Sequence, residues 1–262
     1  MVEPFVIGWA DPGHVSGWFA HSMLETQLAG IQPNGQTLCR GHWRIESGPR
    51  IAAARNDIVK AFLESEQWKG VEWLLMVDSD MSWSASAVGE LFEGMRDADG
   101  KVLHPIVGGL CFGGGHGGIK PTIHRVVDGE ITIVTEWADR EMVPCDATGA
   151  AFLLIHRGVL EAVGAKYQGP YPWFIDAAAS GSEYGEDVAF CLRARMEGFP
   201  IYIATAAKIG HYKTVELNED TWRTGQIGLK NHAPATLNGK PITGTLHSMS
   251  APNRAQRRAK AS

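Results

Sequence analysis

WLLMVDSDMSW, residues 73–83, carries the apolar run Trp73, Leu74, Leu75, Met76 and Val77 straight into two aspartates one residue apart. The run reads as a buried strand. In an extended chain residues i and i+2 point to the same side, so Asp78 and Asp80 are expected to aim their carboxylates at one point beyond the strand's carboxyl end. Two like charges there need a cation between them. A hard divalent ion held by one or two carboxylates usually completes its coordination with substrate phosphates, and open α/β sheets bind ligands at that edge. The other reading is a turn or a helix cap ahead of a helix starting near Ser84, since Asp and Ser suit both.

Working outward, Val6–Trp9 reads as a short strand ending in the turn Asp11-Pro12-Gly13, and residues 15–29 show helical apolar spacing at Phe19, Met23, Leu24 and Leu28. Residues 50–65 predict a second helix with Ile51, Ile58, Phe62 and Leu63 on one side, and Ser84–Met95 is amphipathic. Ile106–Leu110 reads as an internal strand that runs into the glycine-rich loop Gly113–Gly118, with His116 at its centre. Strands are predicted at 131–137, Ala150–Ile155 and Ile201–Ile203, and helices from 156 through Val163, ending near Gly164, and over Glu186–Glu197. Strands alternating with helices over about 200 residues predict an α/β protein with one open, twisted, mostly parallel sheet covered by helices on both faces. The expected division is one domain over 1–215, with a nucleotide half to about 110 and an acceptor half from about 111. Residues 216–262 form an extension ending in a basic tail with Arg254, Arg257, Arg258 and Lys260.

The chain has 262 residues, is 44% hydrophobic and carries a net charge of -5, with a sequence pI near 6.1. That is enough apolar content for a real core, and no basic field suits nucleic acid. Cys39, Cys111, Cys145 and Cys191 form no CxxC pair, so they read as reduced, mostly buried thiols rather than a zinc site or a disulfide framework. No leader-like N-terminus and no apolar run of about 18 residues is present, and the expectation is a cytoplasmic protein without a membrane span.

ARNDIVKAFLES, WLLMVDSDMSW, ATGAAFLLIHRGVLEAVG and GEDVAFCLRARMEGFPIYIATAAKIGHY follow one another in an order and spacing that resemble GT-A-fold glycosyltransferases, particularly glycosyltransferase family 2. The resemblance covers roughly residues 4–213 and is nearest to the compact enzymes encoded by phages of actinobacteria. It implies a metal-dependent, inverting transfer of a sugar from a UDP- or GDP-sugar to a hydroxyl acceptor, with Mn2+ or Mg2+ as cofactor. For a phage-like enzyme the expected acceptor is a virion protein, in the host cytoplasm.

Carried across residue by residue, the resemblance places Asp11, Arg55, Asn56, Asp78, Ser79 and Asp80 around the donor, with Asp78, Asp80 and His211 as the metal set. Many relatives continue the acidic motif where Met81 stands here; two carboxylates suffice for an ion. A histidine beside carboxylates favours manganese over calcium. Asp187 is the expected general base, with Glu186 the alternative, since carboxylates at a helix start also serve as caps. Gly149 and Ala150 either let the backbone approach the donor sugar or pack a strand. Trp173 and Phe174 either form an acceptor platform or belong to the core.

Two rivals stand beside this reading. A nucleotidyltransferase would share an acidic metal site, but it usually grips its triphosphate with a basic glycine-rich loop, and residues 8–18 contain no Lys or Arg. A silent sugar- or nucleotide-binding module would show binding without turnover.

Overall fold

A computed structural model of the chain describes residues 2–32, 37–48, 50–115, 118–175, 184–213, 236–237 and 240–241. His116 and the basic tail residues lie outside them. Two compact units result, one built from Met1–Gly113 with Lys120–Val215, the other from Gly114–Ile119 with Glu216–Ser262. In the second, Thr236–Leu237 pairs antiparallel with Lys240–Pro241.

The first unit begins β1 (Phe5–Asp11), α1 (Gly17–Ala29), β2 (Cys39–Glu46), α2 (Ile51–Glu64), β3 (Trp73–Asp78), β4 (Met81–Ser82), α3 (Ala85–Leu91) and β5 (Ile106–Leu110). The short strands β6 (Phe112–Gly115) and β7 (Gly118–Pro121) each have residues in both units, and the first unit continues with β8 (Ile123–Val127), β9 (Glu130–Ile133), β10 (Met142–Cys145) and β11 (Ala147–Thr148). It ends with β12 (Phe152–His156), α4 (Arg157–Lys166), α5 (Glu186–Met196), β13 (Ile201–Lys208) and β14 (Gly210–His211).

Seven strands form the central sheet in the order β10-β13-β5-β12-β3-β1-β2. Five of them run the same way; β10 and β12 run against them. Because β12 lies antiparallel to β3, the loop before it, 149–151, reaches the same sheet edge as the aspartates. The sheet is covered on both sides. Leu74, Met76, Leu153, Ile155 and Ile203 share one buried cluster with α2, α4 and α5, and Leu75, Val77, Val107 and Phe152 share another with α1 and α3. All four cysteines are free and buried, and among the described residues no helix is long and apolar enough to cross a membrane.

Several elements differ from the sequence pattern, each for a local reason. Helix α1 buries Phe19 as its spacing predicts, but leaves Leu24 and Leu28 about two-thirds exposed and buries Ser22 and Thr26 instead. The polar pair is turned inward to serve Trp83, whose backbone amide donates to Ser22 Oγ at 2.9 Å and whose indole donates to Thr26 Oγ1 at 2.8 Å. Helix α4 runs past Gly164, and that glycine serves packing rather than termination: a Cβ there would sit 2.8 Å from the Trp173 ring. The apolar stretch 131–137 supplies only β9, which pairs with β8 outside the central sheet. The glycine run after Leu110, expected as loop, enters and leaves as β6 and β7. Helix α3 stops at Leu91, while β13 extends to Lys208.

Candidate active site at the carboxyl edge of the sheet

β1, β2, β3, β5 and β13 all end at one edge, and they deliver Asp11, Glu46, Asp78, Leu110 and Lys208 there; in the register Asp11 lies opposite Glu46 and Ala10 opposite Asp78. Such an edge collects the functional side chains of an open α/β sheet because the loops above it are free to vary. β3 stops at Asp78, whose amide donates to the Ala151 carbonyl at 3.0 Å. Ser79 and Asp80 then form a turn before β4 resumes.

That turn corrects the expectation that both carboxylates face one ion, because it breaks the two-residue alternation. Asp78 accepts from Arg55 Nη2 at 2.8 Å. Arg55 is buried, and its Nη1 donates to Glu186 at the start of α5. Burial alone would lower the guanidinium's pKa, but Asp78, Glu186 and Asp187 raise it further. Burial also raises the pKa of Glu186, against the pull of Arg55. Arg55 is thus a strut between β3 and α5, not a solvated helix residue.

Asp80 turns elsewhere. Its Oδ2 lies 3.1 Å from His211 Nε2 and 2.8 Å from Lys213 Nζ, while its carbonyl accepts from the Tyr212 amide at 2.8 Å. The pairing of β14 with β4, which sets His211 opposite Met81, brings these groups together. Partial burial opposes the Asp80 charge, yet the hydrogen bonds from His211 and Lys213 win and hold its pKa at about 2. The bond to Asp80, opposed by burial, raises the pKa of His211.

The His211 ring itself tests whether a cation belongs here. Its Nδ1 faces the Phe112 carbonyl at 2.8 Å and must be the donor of that bond, so in the neutral ring Nε2 carries a lone pair. A lone pair and a carboxylate 3.1 Å apart repel unless a proton or a metal ion lies between them. A backbone carbonyl that accepts from the far ring nitrogen is a usual way for a metal-ligating histidine to be oriented. Asp80 and His211 therefore fit a divalent cation as two of its ligands. Asp78 turns its Oδ1 to Arg55 instead, and among the described residues no three His, Cys, Asp or Glu side chains gather as a metal site.

The remaining expected residues divide between edge and core. Asp11 is buried, accepting from the Gly13 amide at 2.8 Å and from Arg44 Nε at 2.5 Å. Ser79 holds the loop before α1 through its carbonyl, which accepts from the Ser16 amide at 3.4 Å. In the first turn of α5, Asp187 Oδ1 accepts from the Val188 amide at 2.8 Å. Its Oδ2 lies over Gly149, 3.5 Å from where a Cβ would stand. Ala150 is buried beside Arg55 and Asp78.

Three expectations are corrected. Asn56 does not face a nucleotide: its amide nitrogen donates to the carbonyls of Ala52 at 2.7 Å and Phe174 at 2.6 Å, and its oxygen accepts from the Trp173 amide at 3.2 Å. Trp173 and Phe174 are buried and offer no platform. The Trp173 indole donates to the Leu160 carbonyl at 2.7 Å, and Phe174 stacks on Phe190 at 4.7 Å.

Sequence reading missed two cations at this edge. Arg44 pairs with Asp11 and Lys213 with Asp80. Lys213 carried a usable signal, since it stands two residues after His211 and so reaches the same side of an extended segment.

No protein-family model matches the chain, and no curated protein matches it. Among solved structures, GalNAc-T7 with UDP, GalNAc and Mn2+ is similar over 81% of this chain and 44% of that one, at 13% identity and a TM-score of 0.50. A197 from STIV is similar over 89% of this chain and 97% of its own, at 17% identity and a TM-score of 0.48. A glycosyltransferase involved in glycosylation of the major capsid of PBCV-1 gives 60%, 62%, 13% and 0.30 on the same measures. The likeness to GalNAc-T7 bears out the expected fold class, a GT-A-like α/β sheet.

Proposed function

We propose that the protein is a glycosyltransferase that moves a sugar from a nucleoside-diphosphate donor to a hydroxyl acceptor with the help of a divalent cation. The observation that carries this reading is the Asp80–His211 pair, two metal-competent side chains held 3.1 Å apart at the sheet edge, with the imidazole oriented by a backbone carbonyl. Support comes from the fold shared with GalNAc-T7, whose structure holds UDP and Mn2+. Asp80 and His211 would hold the ion, Mn2+ or Mg2+, and its chemistry there is to offset charge on the departing diphosphate.

The chain's own residues do the rest. Arg55 bridges Asp78 and Glu186 and fixes the start of α5 against the end of β3. Asp187 then presents Oδ2 over Gly149, where an acceptor hydroxyl would meet it. In the transfer the acceptor oxygen bonds to the anomeric carbon from the face opposite the leaving group, and its proton passes to Asp187. The bond from the anomeric carbon to the phosphate oxygen breaks, and its electron pair leaves with the nucleoside diphosphate. Configuration inverts in this single displacement.

Incubation with Mn2+ and a panel of UDP- and GDP-sugars tests the activity, with slow donor hydrolysis as the signal. Binding without turnover would instead favour the silent module. Asp187→Asn should retain donor binding and lose about 10²–10⁴-fold in transfer rate, the usual worth of a general base; full activity would remove Asp187 from that role.

A further inference from the structure

Beside the Asp80–His211 pair lies a cavity of about 470 Å³ that none of the roles above uses. The buried Leu110 and Ile209 line it together with Phe112, Trp137 and Gly210, and the exposed Asp139 and Lys208 stand at its rim. We propose that this cavity is the acceptor subsite and that it takes a pyranose ring of a carbohydrate acceptor; this rests on the glycosyltransferase reading.

The location ties the cavity to the site. Residues 209–211 are one continuous segment, of which Ile209 and Gly210 line the cavity while His211 reaches Asp80. Phe112 does the same on the other side, giving its ring to the wall and its carbonyl to His211 Nδ1. The cavity lining is therefore continuous in the chain with the segment that carries the proposed ion ligand.

The lining specifies the ligand. The rings of Phe112 and Trp137 stand 6.2 Å apart at 57°, a tilted pair that encloses a corner rather than a slot. Such a corner offers an aromatic face to the apolar C–H side of a sugar ring. At the rim, Lys208 Nζ and Asp139 Oδ1 pair at 3.1 Å, and both side chains are about two-thirds exposed. An exposed ion pair contributes little by itself, so its members readily exchange each other for neighbouring hydroxyls, the ammonium donating and the carboxylate accepting. Apolar walls with a few convergent polar groups, in a space within the roughly 300–1,000 Å³ of small-molecule sites, are what a specific ligand needs. A purely apolar acceptor would leave the rim pair idle, and a polyanion would use only its ammonium half.

The test uses the full chain and methyl glycosides of common pyranoses, followed by saturation-transfer NMR. At least one glycoside should bind the wild type, and Trp137→Ala should weaken it about tenfold or more, the worth of one stacked aromatic contact. Trp43→Ala, a partly exposed tryptophan on β2 at the opposite edge of the central sheet from β13, serves as the control and should bind as the wild type does. Should Trp137→Ala fail to fold, Asp139→Ala at the exposed rim takes its place, with weakening of several-fold expected. Failure of every pyranoside to bind the wild type, or unchanged binding by the cavity variants, overturns the proposal. Binding of UDP or GDP in Mn2+ is measured on the same preparation. Sugar binding without nucleotide binding would sink the glycosyltransferase reading while leaving a sugar site, and the reverse would sink only the cavity assignment.

Discussion

The two aspartates of one tripeptide are held in contrasting ways. Asp78 meets a guanidinium that is itself buried and shared with Glu186, whereas Asp80 meets an imidazole and an ammonium at a partly open position. The first arrangement has no slack: a buried cation between two carboxylates locks α2, β3 and α5 together, and withdrawing it strands charge out of water. The second is exchangeable. Lys213 is about half exposed, so its ammonium can give way to another cation without leaving anything buried and unpaired. Adjacent carboxylates thus serve rigidity and chemistry separately, and the turn at Ser79–Asp80 is what parts them.

The largest effect that would break this contrast is on stability. Arg55→Met should destabilise the fold by about 3–5 kcal/mol in urea unfolding, because Asp78 and Glu186 lose their shared partner. A loss under about 1 kcal/mol, the range of exposed pairs, would place Arg55 with the exchangeable set. Next comes Asn56→Ala, which leaves the Trp173 amide and the Phe174 carbonyl without their partner; a cost of about 1–3 kcal/mol is expected, with no change in nucleotide affinity beyond that of stability. A selective loss of nucleotide binding would return Asn56 to the donor site.

The smallest effect sharpens the contrast through pH. His211 has its pKa raised from 6.5, so its pairing stabilises the fold fully below pH 6.5 and loses that contribution as pH rises through the raised value. Asp80, lowered from 3.8 to about 2, contributes fully above pH 3.8 and loses it as pH falls toward 2. The difference in Tm between wild type and His211→Ala should therefore be greatest between pH 3.8 and pH 6.5 and shrink as pH rises through the raised His211 value. Both groups are partly exposed, which keeps the effect within about 1 kcal/mol. A difference that grows with pH would contradict the pairing.

Much of this was legible in the sequence where a residue's role follows from its own neighbours. The apolar run into Asp78 gave β3, the alanine-rich stretch gave α2, and the acidic start at Glu186 gave α5. Strand β2 escaped because CRGHWRIE places charged side chains along an edge strand, and only pairing with β1 makes it part of the sheet. Asn56 and Trp173 misled for the opposite reason, since a polar residue beside a motif and an aromatic near a loop look available until burial engages every polar atom. The separation of Asp78 from Asp80 depends on where a strand stops, which a two-residue period does not reveal.

The most direct measurement is calorimetric titration of UDP and GDP into the wild type and Asp80→Ala, with and without Mn2+. Binding by the wild type that needs the ion and disappears in Asp80→Ala, while the variant keeps its Tm to within a few degrees, is the predicted result. Equal nucleotide affinity in the two proteins with Mn2+ present would contradict it.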